Sequence, residues 1–141
     1  MIAVDTNILL CAHRAELPKH ATALERLVGL AEGAAAWALP VFVVGEFLRV
    51  ITHPRVFDPP HSIDEAALAV DRLLDSPTMR LLSPGDRWPS LLADAMREGE
   101  ARGNLVLGAQ IVALCREHGV SSLLTEDRDF DRFELPTTRL G

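Results

Sequence analysis

The sequence predicts an α/β fold, one domain over residues 1–141 with a mostly parallel central sheet flanked by helices. Three observations carry this reading. Short apolar runs of strand length alternate with longer segments whose apolar residues recur at helical spacing. The alternation persists along the whole chain. Neither an internal repeat nor a linker divides it, and 141 residues suit one core.

Taken in order, Ile2 to Val4 reads as a buried strand that ends at Asp5. Asn7 to Arg14 continues as a helix, with Ile8, Leu9, Cys11 and Ala12 at helical spacing. Pro18 opens a second helix, whose apolar face is Ala21, Leu24, Leu27, Val28 and Ala31, and Gly33 ends it. Ala36 to Leu39 is the second strand. Pro40 starts a third helix, running to about Thr52, with Val41, Val44, Phe47, Leu48 and Ile51 apolar. Pro54, Pro59 and Pro60 make residues 53–61 a loop. Ser62 and Glu65 form a capping box for a helix ending near Asp75. Met79 to Leu82 is the third strand, and Trp88 to Arg102 is a helix that tolerates Pro89 in its first turn. Asn104 caps the last helix, which ends at Gly119. Ser121 to Thr125 is the fourth strand and Thr138 to Leu140 the fifth. Ligands bind such sheets at the carboxyl ends of the strands, where Asp5 and Asp127 both fall.

Hydrophobic residues make up 48 % and charged residues 24 %, so a real core is available and nothing reads as disordered. Cys11 and Cys115 are far apart and lack CxxC spacing, which gives neither a zinc site nor a disulfide framework. They read as small core residues in a reducing compartment. The longest apolar run, Ala34 to Val44, contains Pro40 and stops at Gly45 and Glu46, short of the ~20 residues a membrane span needs. Asp5 interrupts the N-terminus too early for a signal peptide. The expectation is a cytoplasmic protein with no membrane partner. A net charge of −6 argues against general coating of nucleic acid, because phosphate repels an acidic surface. It leaves room for a nuclease with local basic clusters.

The acids carry the chemistry. Asp5 is the first polar residue after a buried strand, where an unpaired charge is costly. It is either a helix N-cap, a role the adjacent Thr6 equally suits, or a ligand. Glu46 lies in an apolar helix, as an exposed position or as a carboxylate turned inward toward a cation. In Thr125-Glu126-Asp127-Arg128-Asp129-Phe130-Asp131, four acids fall within six residues. Asp127 and Asp129 face the same way if this stretch is extended. Phe130 anchors the loop by packing, and Asp131 faces water. Gathered carboxylates repel one another unless they protonate or bind a cation. Mg²⁺ suits them, because it takes oxygen ligands and keeps several waters. Such an ion activates water and offsets charge on a phosphoryl group. The five histidines are scattered, which argues against a zinc cluster. Asp5, Glu46 and Asp127 are therefore the expected metal site, suited to cutting a phosphodiester.

These residues resemble a known family. Val4-Asp5-Thr6-Asn7-Ile8-Leu9-Leu10 is similar to the opening of a PIN domain, the small nuclease fold of VapC-type toxins. Gly45-Glu46-Phe47 resembles the block of the second acid, Gly103-Asn104-Leu105-Val106 the turn before the third-acid helix, and Thr125 to Phe130 the closing acidic motif. The resemblance implies a Mg²⁺-dependent endoribonuclease toxin of a type II toxin–antitoxin system, with Mn²⁺ as a substitute ion and a metal-activated water as attacking group. It also implies an RNA substrate, a small antitoxin partner and a homodimer. By the same resemblance Asp5, Glu46 and Asp127 are catalytic, and Asp129 joins them as a metal ligand. Thr6 and Asn7 shape the turn and, with Arg128, contact the substrate. One position departs from the pattern: Gly108 stands four residues after Asn104, where the family has an aspartate. It reads either as close helix packing or as a lost ligand that weakens the metal site.

Two other readings compete. A haloacid-dehalogenase-like phosphatase needs a second Asp two residues after the first, where Asn7 stands, and a lysine, of which Lys19 is the only one; a phospho-acceptor domain meets the same lysine objection. A catalytically weakened domain that binds antitoxin or RNA is the alternative that Gly108 raises. Arg14, Lys19, Arg49 and Arg128 are the candidate phosphate contacts, unless they pair with nearby acids. Trp37, Phe42 and Trp88 are candidates for an exposed apolar interface.

Overall fold

Five short strands build the sheet: β1 (Ile2–Val4), β2 (Trp37–Pro40), β3 (Met79–Leu82), β4 (Ser122–Leu124) and β5 (Thr137–Thr138). In this computed structural model, which describes residues 1–141, they lie in the order β3-β2-β1-β4-β5, and every pairing is parallel. Ala3 and Val4 of β1, all of β2, and Leu123 and Leu124 of β4 are buried, as expected where helices cover both faces of a parallel sheet. The order places β1 between β2 and β4. The chain winds outward from β1 in one direction through β2 and β3, then in the other through β4 and β5. The reversal leaves a crevice beyond the carboxyl ends of β1 and β4, the usual ligand position in such sheets.

Six helices flank the sheet: α1 (Thr6–His13), α2 (His20–Glu32), α3 (Val41–Ile51), α4 (Ile63–Leu74), α5 (Trp88–Gly99) and α6 (Val106–Glu117). Helix α3 follows β2 without a loop and buries Val43, Phe47 and Ile51, one residue per turn. Helix α4 begins with the expected capping box: Glu65 N donates to Ser62 Oγ at 3.1 Å, and Ser62 N donates to Glu65 Oε1 at 2.9 Å. Helix α6 is the most buried, with Ala109 and Ile111 to Cys115 in the core. Gly119, just past its end, takes a left-handed φ of 68°, which glycine adopts without strain.

The structure corrects several sequence expectations. Helix α5 ends at Gly99, not Arg102, because Glu100 turns left-handed (φ 48°) and its N–H closes back on the last turn. Asn104 is not a cap. It sits inside a single 3-10 turn, Gly103–Leu105, so Leu105 precedes α6 and no side chain caps that helix. Helix α2 starts at His20, two residues after Pro18. Trp37 is fully buried and cannot line an interface; its indole N–H donates to Ser76 Oγ at 3.2 Å, which makes that burial tolerable. Phe42 and Trp88 are half-buried and stack on each other, centroids 5.6 Å apart. Cys115 is fully buried, and burial together with the Asp5 charge pushes its thiol up to about 12, so it stays protonated and inert.

Candidate active site

Asp5 leaves the end of β1 and becomes the N-cap of α1. Its Oδ1 accepts from Thr6 N at 2.8 Å, and its Oδ2 accepts from Asn7 Nδ2 at 2.8 Å and from Thr125 Oγ1 at 2.6 Å. Asp5 is therefore a helix cap, and the same carboxylate also lines the cleft. Asp5 is only 4 % exposed. Burial pushes its carboxyl up to about 6, and the charges of Glu46 and Asp127 add to that, against the bonds from Thr125 and Thr6.

The neighbouring strand supplies the other half. Thr125, directly after β4, is fully buried. Its hydroxyl donates to Asp5 and accepts from Asn7 Nδ2 at 3.2 Å and from Asp127 N at 3.0 Å. Asn7 Oδ1 in turn accepts from Glu126 N at 3.0 Å. The loops after β1 and β4 are thus sewn together by three side chains. Thr125 had no assigned role in the sequence reading, although a hydroxyl residue between a buried strand and an acidic loop was the available signal.

Asp127 caps a 3-10 helix over Arg128–Arg132, its Oδ1 accepting from Asp129 N at 2.9 Å. The stretch is not extended, so Asp127 and Asp129 are not related by strand alternation. Both nevertheless line the cleft. Phe130 is buried, as expected, and Asp131 is exposed and pairs with Arg139 at 3.1 Å. Glu46, from the second turn of α3, faces the same cleft and is half-buried. Burial raises its carboxyl pKa and the Asp127 charge adds to the rise, while Arg49 opposes it. Thr6 Oγ1 also favours ionised Glu46, yet it is buried without a partner of hydrogen-bond geometry.

The cleft measures about 390 Å³. Asp5, Thr6, Asn7, Glu46, Asp127 and Asp129 line it, with Glu126 and Asn104. These acids share one cleft but do not form a closed cage, as no three acidic, histidine or cysteine side chains come together at metal-ligating range. The donor set fits Mg²⁺ nonetheless. All donors are hard oxygens, and Mg²⁺ binds through one or two carboxylates while retaining waters. A buried carboxylate held by three donors and an orphaned threonine hydroxyl beside a second carboxylate are what a polar guest would satisfy. Among the candidate phosphate contacts, Arg14 is buried and pairs with Glu16 at 2.6 Å, and Lys19 pairs with Glu126 at 3.1 Å. Arg49 and Arg128 are exposed. Gly108 lines the cleft too, and close packing does not require it, because a Cβ there would meet Phe130 and Phe133 ring carbons at an ordinary 3.8 Å.

Known proteins agree with this architecture. A family model described as PIN domain matches residues 2–135. VapC ribonuclease Mb2897 of Mycobacterium bovis is 38 % identical over 133 residues, covering 94 % of this chain and 90 % of that protein. Ribonuclease VapC25 of Mycobacterium tuberculosis is 33 % identical, covering 94 % and 93 %. Among solved structures, M. tuberculosis VapC20, described as a sarcin–ricin loop cleaving toxin, superposes with a TM-score of 0.69 at 23 % identity, covering 96 % of each chain. VapBC-1 from nontypeable Haemophilus influenzae superposes with a TM-score of 0.67 at 16 % identity, covering 99 % and 98 %. A matching family model over nearly the whole chain, a shared fold and a VapC relative at 38 % identity lead to one conclusion: this chain belongs to the PIN-domain family, among the VapC-type proteins.

Proposed function

We propose that this chain is a Mg²⁺-dependent endoribonuclease toxin, and that Asp5, Glu46 and Asp127 are its catalytic acids. The observation that carries the reading is the arrangement at the β1/β4 crevice, where a buried, triply hydrogen-bonded Asp5 shares a cleft with Glu46 and Asp127. Relatives at 38 % and 33 % identity are named as ribonucleases. Asp5, Glu46 and Asp127 would hold the ion, with Asp129 at the margin; Mn²⁺ has the same preference for oxygen donors. Bound there, the ion would supply a Lewis acid that activates water and offsets charge developing on the phosphate.

The chain's own residues do the positioning. Thr125 and Asn7 fix the Asp5 carboxylate, and the loop bonds from Asn7 and Thr125 fix the backbone ahead of Asp127. Thr6 sits against Glu46, and exposed Arg128 reaches phosphate oxygens from the acidic loop. The partners in this reading are RNA, a protein antitoxin and a second copy of the chain, in the cytoplasm. No helix is long and apolar enough to cross a membrane.

Purified chain incubated with structured RNA should cleave it in Mg²⁺ and not in EDTA, and Asp5→Ala should abolish cleavage. Cleavage that survives Asp5→Ala would point to a contaminant and end the enzymatic reading. Gly108 favours one second reading, a weakened enzyme that chiefly binds antitoxin or RNA; it predicts RNA binding without turnover in the same assay.

A further inference from the structure

The five histidines divide by the partner that each ring nitrogen meets. Nδ1 of His13, Nδ1 of His20 and Nε2 of His118 lie against the carbonyl oxygens of Leu9, Cys11 and Ser83, at 2.7, 2.8 and 2.8 Å. A carbonyl only accepts, so these nitrogens carry a proton, and a second proton on the ring leaves the bond in place. His53 and His61 are the reverse. His53 Nδ1 accepts from Arg55 N at 3.1 Å, and His61 Nδ1 accepts from Arg14 Nη1 at 3.1 Å. Neither a backbone N–H nor a guanidinium gives up its proton, so both imidazoles are neutral here, with the proton on Nε2.

His53 and His61 bracket one segment, the connection between α3 and α4. Arg14, at the end of α1, holds that segment. Its buried guanidinium also donates to Pro59 O at 2.9 Å and stands over the buried Phe57 ring, 4.5 Å from the centroid. The charged groups around His61 are Arg14 and His13 of α1, Glu16 just after α1, and Glu65 of α4. Both carboxylates are already engaged. Glu16 takes two bonds from Arg14, and Glu65 accepts from Ser62 N. A proton added at His61 Nδ1 therefore meets a like charge 3.1 Å away in place of an acceptor's partner. One added at His53 Nδ1 removes the acceptor of Arg55 N.

We infer that residues 53–61 form an acid-released latch: neutral His53 and His61 hold the segment closed on Arg14, and their protonation frees it. The sign follows from the bonds. Closure is complete while both rings are neutral and is lost as pH falls through their titration, within the range of about pH 5 to 8 in which imidazoles change charge. The other three histidines take no part, because their bonds survive the same proton. Release leaves Arg14 with Glu16 and uncovers Phe57, so the acidified chain presents an apolar ring that the neutral chain buries. The latch stands at the C-terminal end of α1, opposite Asp5 at its N-cap, and does not depend on the ribonuclease reading.

Hydrogen exchange at the amides of Val56, Phe57 and His61, which donate to the carbonyls of His53, His53 and Ile51, tests it. Their protection factors should fall at least about tenfold from about pH 8 to about pH 5, the weight of one hydrogen bond to a charged group. Those of Val112 and Ala113 in the buried part of α6 should hold. The double variant His53→Asn/His61→Asn keeps a side-chain oxygen acceptor at each place and cannot titrate, so its segment should stay protected in acid. His20→Gln should leave the fall unchanged. Absence of protection in wild type at the higher pH, no fall on acidification, or an equal fall in the double variant would overturn the inference. If the double variant does not fold, NMR of the wild type decides: the fall should follow the His61 ring resonances, and a fall that follows those of His13, His20 or His118 refutes the latch.

Discussion

At Asp5 burial and charge oppose each other. The carboxyl is held by Thr6, Asn7 and Thr125, yet burial still lifts its pKa from 3.8 to about 6. A folded-state value above the unfolded one means that the folded protein binds the extra proton. Its stabilising effect is complete below about pH 4 and is lost as pH rises through about 6. In EDTA, chemical denaturation of wild type and Asp5→Asn should therefore diverge with pH. Wild type should lose about 2 kcal/mol relative to the variant between pH 4 and pH 7, and a pH-independent difference would show that Asp5 is not strained. Gly108 and Gly99 give a second residue-scale contrast. Gly108→Ala has room and should gain up to ~1 kcal/mol from helix propensity. Gly99→Ala would overlap the Phe133 ring and should lose about 1–3 kcal/mol, as thermal melts would show.

Among the elements, those whose signals are local were legible. The Ser62–Glu65 capping box appears as read, with both reciprocal bonds. Ser62→Ala should cost about 1 kcal/mol, a fall of about 4 °C in Tm by calorimetry, because it orphans one first-turn N–H. Strands β1 and β3 match their expected bounds, Ile2–Val4 and Met79–Leu82. The misread elements turned on backbone choices that side-chain chemistry does not announce. A left-handed Glu100 ended α5 early, and a 3-10 turn displaced Asn104 from the cap position. The acidic loop curls into another 3-10 turn because Asp127 caps it, which ruled out the extended geometry expected for Asp127 and Asp129.

On the scale of the whole molecule, strand–helix alternation was enough to foresee a parallel sheet and to place Asp5 and Asp127 at its carboxyl edge. It was not enough to foresee the network that joins them. The bonds from Thr125 and Asn7 across the β1/β4 crevice link residues more than a hundred positions apart, and only the folded topology brings them within reach. The same topology brings Gly108, the position that departs from the family pattern, to the lining of the cleft beside the buried Phe130 and Phe133. The acids are gathered around the cleft without closing into a cage, which suits an ion that keeps much of its water. Calorimetric titration of Mg²⁺ into wild type, Asp5→Asn and Gly108→Asp bears most directly on whether this cleft is a metal site. Binding should be measurable in wild type, at least about tenfold weaker in Asp5→Asn, and tighter in Gly108→Asp. Equal Mg²⁺ binding by wild type and Asp5→Asn would contradict a metal site at the β1/β4 crevice.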